Sequence, residues 1–390
     1  MINVIDSIMG SGKSNWAIQY MNSNLDKNFI YITPFLDEVE RIKTNCTNRK
    51  FKEPINKGDG KLSSFKKLLS KGDNIASTHL LFSYADDEVI ELLKMKNYIL
   101  ILDEVMSVIE NLDIDKVDLK MLFNDKLLIL NSDNSLSWNS EYSNYSGKFE
   151  YIKIMAEHNR LIYYSDTILM WIFPVDVFES FKEVWILTYM FKGQIQRAYY
   201  DLYNKKYRFY SIKDKKLSDY SDNERITNLI NIYEDKLNEI GKDYYSLSFS
   251  WYIKNVKNKE VLKTLNNYKA NYLKNILKSN SKQAMWTTFK DFEKDIKDKN
   301  YNSKSFVPHN CRATNNYRER NNLVYLVNRF INPIYVNFFK EKGILLDEDM
   351  YATAELLQWI WRSSIRDGKN VNLYIPSVRM RSLLKKWLNQ

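Results

Sequence analysis

The chain has 390 residues, 44% of them hydrophobic and 14% aromatic, which excludes a disordered chain and suits two packed units of roughly 150–200 residues each. A net charge of +10 favours a polyanionic partner without demanding one. Two distant cysteines, Cys46 and Cys311, and three histidines exclude a disulfide framework and a convincing zinc site, so a reducing cytoplasm is the expected compartment.

Ile2 to Asp6 is a short apolar run that reads as a buried strand, and Lys13 to Asn22 as the helix after it. No basic, then apolar leader precedes them, and no run of about 18 apolar residues follows, so neither a signal peptide nor a membrane span is expected. Phe29 to Thr33 reads as a second strand, with a helix from Phe35. Lys50 to Lys61 carries Gly, Pro, Lys and Asp and reads as a surface loop. Asn74 to Ser77 is a short strand, Asp86 to Met95 a helix, and Tyr98 to Leu102 a continuous apolar strand. Leu161 to Ser165 and Glu183 to Thr188 fit two more strands. Continuous apolar strands alternating with helices predict a parallel sheet buried on both faces. From 191 to 243 polar residues, Tyr and Lys dominate, with a weak strand signal at Tyr207 to Ile212, and the stretch reads as a linker or insertion. A second alternating region, 244–390, holds expected strands at Ser246 to Ser250, Gln283 to Thr287 and Val371 to Ile375, and expected helices at Leu323 to Lys340 and Ala352 to Ile365. The predicted domains are therefore 1–190, a linker 191–243, and 244–390.

Three clusters carry chemistry. Ser7-Ile8-Met9-Gly10-Ser11-Gly12-Lys13-Ser14 is a phosphate loop with Ser7 at the position usually held by Gly. Gly10 and Gly12 free the backbone to turn its N–H groups on phosphate oxygens. Lys13 is placed for the β- and γ-phosphates and Ser14 for Mg²⁺. The strand ending in Asp103-Glu104 places two carboxylates where ligands sit in a parallel sheet: Asp103 for the metal, Glu104 as the base that activates water. Gln358, Arg362 and Arg366 recur every fourth residue, which on one helix places them on a common face while Leu357, Ile360, Trp361 and Ile365 turn to the core. That face suits an arginine finger that senses the γ-phosphate; a plain basic surface is the alternative, and for Arg366 a nucleic-acid-binding face is a further one.

In this order the clusters resemble superfamily 2 helicases of the DEAD/DEAH-like class, most closely phage-encoded helicase-like ATPases. Ser7 to Ser14 looks like motif I, Ile32-Thr33-Pro34 with Glu38 and Arg41 like motif Ia, and Ser77-Thr78-His79 like motif Ib. Asp103-Glu104 looks like motif II, Ser165-Asp166-Thr167 like motif III, and Gln358 to Arg366 like motif VI. Arg312-Ala313-Thr314-Asn315 and Asn328-Arg329-Phe330 also carry the phage likeness. The resemblance implies an α/β fold of two RecA-like lobes, each a mostly parallel sheet flanked by helices, with ATP and Mg²⁺ in the cleft between them. It implies a helicase or translocase, with single-stranded DNA as the first partner and phage replication or recombination in the host cytoplasm as the setting. Motif II ends in Val105-Met106, and the two Arg of motif VI stand four apart rather than three. Thr33, Thr78, His79, Arg312, Thr314 and Asn315 are the expected nucleic-acid contacts; His79 equally suits a link to the nucleotide site or a structural histidine. A terminase-like packaging motor and an ATP-switched module that binds a protein partner are the alternative functions.

Overall fold

A computed structural model describes residues 1–56, 58, 60–221, 228–310 and 316–389. Two parallel sheets organise the molecule. The larger has eight strands in the order Lys216–Asp219, Tyr207–Lys213, Ile2–Asp6, Glu183–Thr188, Ile99–Asp103, Phe29–Thr33, Asn74–Thr78 and Phe51–Lys52. All neighbours are parallel except the Lys216–Asp219 edge. Its central strands are buried along their whole length, as continuous apolar sequence requires when helices cover both faces. The smaller sheet is fully parallel, in the order Ile230–Ile232, Val371–Tyr374, Asn322–Tyr325 and Ala284–Thr287.

The stretch 191–243, read from sequence as a connecting segment, feeds both sheets. Tyr207–Lys213 pairs with the first strand, and Ile230–Ile232 forms the edge of the second sheet. Leu161–Tyr164 is a strand, but it folds antiparallel onto Ile168–Ile172 in a separate three-stranded sheet with Ile109–Asn111. A short hairpin, Leu128–Leu130 with Leu136–Trp138, completes this unit, which has its own small core around Leu122, Leu136 and Ile152.

Three expectations for the second half are corrected. Ser246 to Ser250 is a turn leading into the helix Phe249–Asn255, because Ser248 caps it by accepting from the Trp251 N–H at 3.2 Å. Leu323 to Lys340 is not one helix: Asn322–Tyr325 is a central strand, and the helix Pro333–Glu341 starts at Pro333 behind an Asn332 cap. The helix expected to run through Arg366 spans Glu348–Ile360 and then gives way to a turn and a short 3₁₀ segment, Ser364–Asp367, capped by Ser363.

The helix Glu348–Ile360 is buried from Tyr351 to its end, because it is wedged between the second sheet and the first unit. At Gly193 the two come so close that an added Cβ would lie 2.8 Å from the Met350 side chain and 2.9 Å from its backbone carbonyl carbon. Gly193→Ala is therefore expected to lower stability by roughly 1–3 kcal/mol, the usual cost of overpacking, read from urea denaturation. A neutral result would show that the helix yields freely.

Candidate functional site

The phosphate loop follows the strand Ile2–Asp6 and precedes the helix Lys13–Ser23. Gly10 and Gly12 adopt φ of 86° and 102°, the left-handed region open to glycine. Gly12 occupies the N-cap position and no side chain caps the helix, which leaves the helix start facing outward as an anion site. Ser7 serves the fold, since its Oγ accepts a 2.8 Å hydrogen bond from the Ile212 N–H, tying the loop to the neighbouring strand. Lys13 is buried, and its Nζ donates to the Ser7 and Ile8 carbonyls at 2.5 and 3.1 Å. The Ser11 Oγ is buried with no hydrogen-bond partner among the described residues.

The acidic pair lies two strands away, across Glu183–Thr188. Asp103 is buried, and its Oδ2 accepts from the Tyr31 hydroxyl at 2.8 Å. Burial first, and then the neighbouring Glu104, push its carboxyl up to about 7, against which the Tyr31 bond pulls down. Glu104 takes φ of 64°, an unusual conformation for a non-glycine residue and one that clusters at functional sites. Its N–H is held by the Leu187 carbonyl at 2.9 Å, and its Oε2 is buried with no partner among the described residues.

Gln358, Arg362 and Arg366 reach the same place even though the helix ends at Ile360. All three line a cavity of about 470 Å³ together with Gly12, Lys13 and Ser14. Met9, Gly10, Asp103 and Glu104 complete its first-sheet wall. Gln358 and Arg362 are buried, as are Leu357, Ile360, Trp361 and Ile365. The turn brings Arg362 and Arg366 round in place of further helix.

Sequence reasoning missed Arg318 in this cavity, and it named Glu38 and Arg41 only for their likeness to motif Ia. Arg41 and Glu38 line it, paired to each other at 2.9 Å, and Arg41 also donates to Asn15 Oδ1 at 3.0 Å. Arg318 lines it too, in a two-pronged ion pair with Asp367. Arg366 has its guanidinium pKa lowered by the enclosing protein first, then by Arg318 and Arg41. Thr188 ends the strand next to Asp103, with its Oγ1 buried and unpartnered among the described residues. Ser165-Asp166-Thr167, expected as a motif III-like segment, forms a hairpin turn outside this lining, with φ of 49° and 52° at Ser165 and Asp166.

The lining holds five cations, Lys13, Arg41, Arg318, Arg362 and Arg366, against three carboxylates, Glu38, Asp103 and Glu104. That excess suits a polyphosphate, while Ser14, Asp103 and the unpartnered Glu104 oxygen are hard oxygen donors of the kind Mg²⁺ takes. Of the expected nucleic-acid residues, Thr33 and Thr78 stand side by side at the ends of paired strands, and His79 follows. Thr33 is fully buried, so in this conformation its hydroxyl does not reach a surface strand. Thr78 caps the short helix His79–Phe82. The His79 Nε2 sits 3.1 Å from the Asp103 carbonyl oxygen. Arg312, Thr314 and Asn315 lie outside the described residues. Asn328 is a buried bracket, donating to the Tyr244 and Ser246 carbonyls and accepting from Arg379.

Over 99% of its length the chain is similar to Xpd4 of S. tokodaii, with a TM-score of 0.53, 12% identity and 93% of that chain covered. It is also similar, with a TM-score of 0.35 and 12% identity over 49% of that chain, to the DUF1998 helicase MrfA in a structure bound to DNA. The fold is mixed α/β, with parallel sheets flanked by helices, as the likeness to Xpd4 shows. The chain belongs to the YonV family. It is 45% identical to the SPbeta prophage-derived protein YonV of Bacillus subtilis (strain 168), covering 99% of this chain and 98% of that one. Residues 109–171 match the YonV middle domain and residues 224–388 the YonV C-terminal Rossmann-like domain. The middle domain coincides with the small antiparallel unit. No helix among the described residues is long and apolar enough to cross a membrane.

The Asp103 environment predicts a pH signature for the metal-free protein. The folded carboxyl, raised to about 7 from 3.8, holds its proton where the unfolded one has lost it. The resulting penalty on folding is absent below about pH 4, grows as pH rises, and is complete above about pH 7. Asp103→Asn removes it. In chelator at about pH 8 the variant is expected to be more stable than the parent by on the order of a few kcal/mol, and near-equal at about pH 4. Urea denaturation at the two values checks this; a pH-independent difference contradicts it.

Proposed function

We propose that this protein is an Mg²⁺-dependent ATP hydrolase of the superfamily 2 type, acting as a nucleic-acid translocase or helicase in phage DNA replication or recombination in the host cytoplasm. The observation that carries the reading is the single cavity in which the phosphate loop, the acidic pair and the Gln358–Arg366 segment converge. The two parallel sheets are read as RecA-like lobes, the first built from 1–190 with the strands of 207–219, the second from 244–390 with the strand Ile230–Ile232. ATP sits between them.

In this reading Ser7, Met9, Gly10, Ser11 and Gly12 shape the loop that wraps the phosphates. Lys13 leaves the loop carbonyls to hold the β- and γ-phosphates. The Ser14 hydroxyl and the Asp103 carboxylate hold Mg²⁺, which when bound neutralises phosphate charge. Glu104 takes the proton of the water that attacks the γ-phosphorus, and the bond to the β-phosphate oxygen breaks with its charge held by Lys13. Gln358, Arg362 and Arg366 sense and stabilise the transferred phosphoryl from the second lobe. Closure on ATP and reopening on ADP then shift the lobes along a strand, single-stranded DNA first, with replication or recombination proteins as further partners. The net charge of +10 supports a polyanionic track.

ATP hydrolysis measured with no nucleic acid, single-stranded DNA, duplex DNA and RNA tests the proposal. The parent is expected to hydrolyse ATP faster with a strand present. Lys13→Ala is expected to lose binding and turnover, and Glu104→Gln to keep binding with turnover reduced about 100-fold or more. No hydrolysis under any condition overturns the proposal, and hydrolysis indifferent to every strand overturns its translocase half.

A further inference from the structure

A second and larger cavity, about 750 Å³, opens on the other side of the acidic pair. Its walls come from three units. The short helix His79–Phe82 and the segment after Glu104 supply one side, the middle domain a second through Tyr151 and Trp171, and Tyr351 of the second unit the floor. The lip is apolar and exposed at Leu80, Tyr84, Tyr151 and Ile154.

Two buried side chains in this lining have polar atoms that the protein leaves unused. Gln194 is 3% exposed, and its Nε2 has no hydrogen-bond partner among the described residues. It stands at the start of the helix Ile195–Leu202 without capping it. Arg160 is 5% exposed; its terminal nitrogens bond the Ser83 and Ala85 carbonyls, while its Nε is likewise buried and unpartnered. Both unused atoms are donors, and a buried donor left unmatched is costly, so the fitting ligand presents acceptors. Of the neighbouring charges, Asp86 pairs with Lys66 at 2.6 Å and His158 lies 3.3 Å from Asp87, while the exposed Glu110 also lines the cavity and disfavours an anion there. A neutral ligand with flat apolar faces and acceptor edges is what remains, and Tyr84, Tyr151 and Trp171 supply aromatic surface to it.

We propose that this cavity receives a nucleobase of a single strand, whose phosphates stay outside, and that His79 conveys its occupancy to the acidic pair. His79 lines the cavity and touches the Asp103 carbonyl oxygen at 3.1 Å, while Val105 and Met106 continue from Glu104 into the same wall. A base seated there presses on the segment that positions the metal-side and water-side carboxylates. His79 is thus a positioning residue. The base site stands on its own geometry; only the coupling rests on the hydrolase reading.

The test uses the full chain without ATP and a single-stranded oligonucleotide carrying 5-iodouracil. Irradiation is expected to join the strand to Tyr84, Tyr151 or Trp171, mapped by mass spectrometry; crosslinks confined to residues outside the cavity overturn the proposal. Gln194→Ala, and the lip variant Tyr151→Ala as one that spares the fold, are expected to weaken binding of a normal strand about tenfold. They should leave an abasic strand of equal length unaffected. Equal loss on both strands, or an apolar peptide that occupies the site and that no strand displaces, overturns it. His79→Ala is expected to keep strand affinity and lose about tenfold of the strand's stimulation of hydrolysis; loss of affinity instead overturns the coupling. If the parent hydrolyses no ATP while the crosslinks and the Gln194 effect hold, the hydrolase reading fails and the base site stands.

Discussion

Ile8, the second residue of the phosphate loop, is buried in the hydrophobic core of the second sheet, and Met9 packs against that core. Everything else about the site depends on this contact. A phosphate loop needs its backbone held open, and here part of the restraint comes from the opposite end of the chain. Tyr189 and Met190 pack into the same core, and Trp387 of the last helix donates to the Tyr189 hydroxyl at 3.0 Å. Asp6, just before the loop, accepts from the Met190 and Phe191 N–H groups at 2.6 and 3.0 Å. The loop, the strand beside it and the second unit are therefore packed together, so that a change in how the units sit against each other would reach the loop through packed side chains.

The cavity stores energy in the same place. Three carboxylates and five cations share a small volume, with Asp103 held partly against its own ionisation and Glu104 in a left-handed conformation. Neither feature favours folding. Both are tolerated because the strand Ile99–Asp103 is clamped on each side, by Glu183–Thr188 and by Phe29–Thr33. Arg318 and Asp367 tie the turn that holds Arg318 to the segment bearing Arg366 at the cavity rim.

Much of this was legible in the sequence. Buried parallel strands announce themselves as unbroken apolar runs, and Ile2–Asp6, Phe29–Thr33, Ile99–Asp103 and Glu183–Thr188 all did so. The loop and acidic pair were legible because their chemistry demands particular residues next to one another. What failed was whatever depends on tertiary placement. Periodicity carries through Arg366, but Ser363 offers a cap that stops the helix at Ile360, and the two arginines reach the cavity by a turn. Leu161–Tyr164 is a strand in either reading; only its partner decides whether it joins the main sheet or the middle domain. Arg318 looks like an ordinary surface charge, and nothing in the sequence around Arg41 shows that the fold brings both to the cavity edge.

The central claim is that one triphosphate is gripped from both sheets. Equilibrium titration of Arg362→Ala with Mg²⁺–ATP and with Mg²⁺–ADP tests it most directly. The account predicts a loss of affinity for the triphosphate of about tenfold or more, in line with a charge-assisted contact, and little change for the diphosphate. Equal affinities for both nucleotides in parent and variant would contradict it.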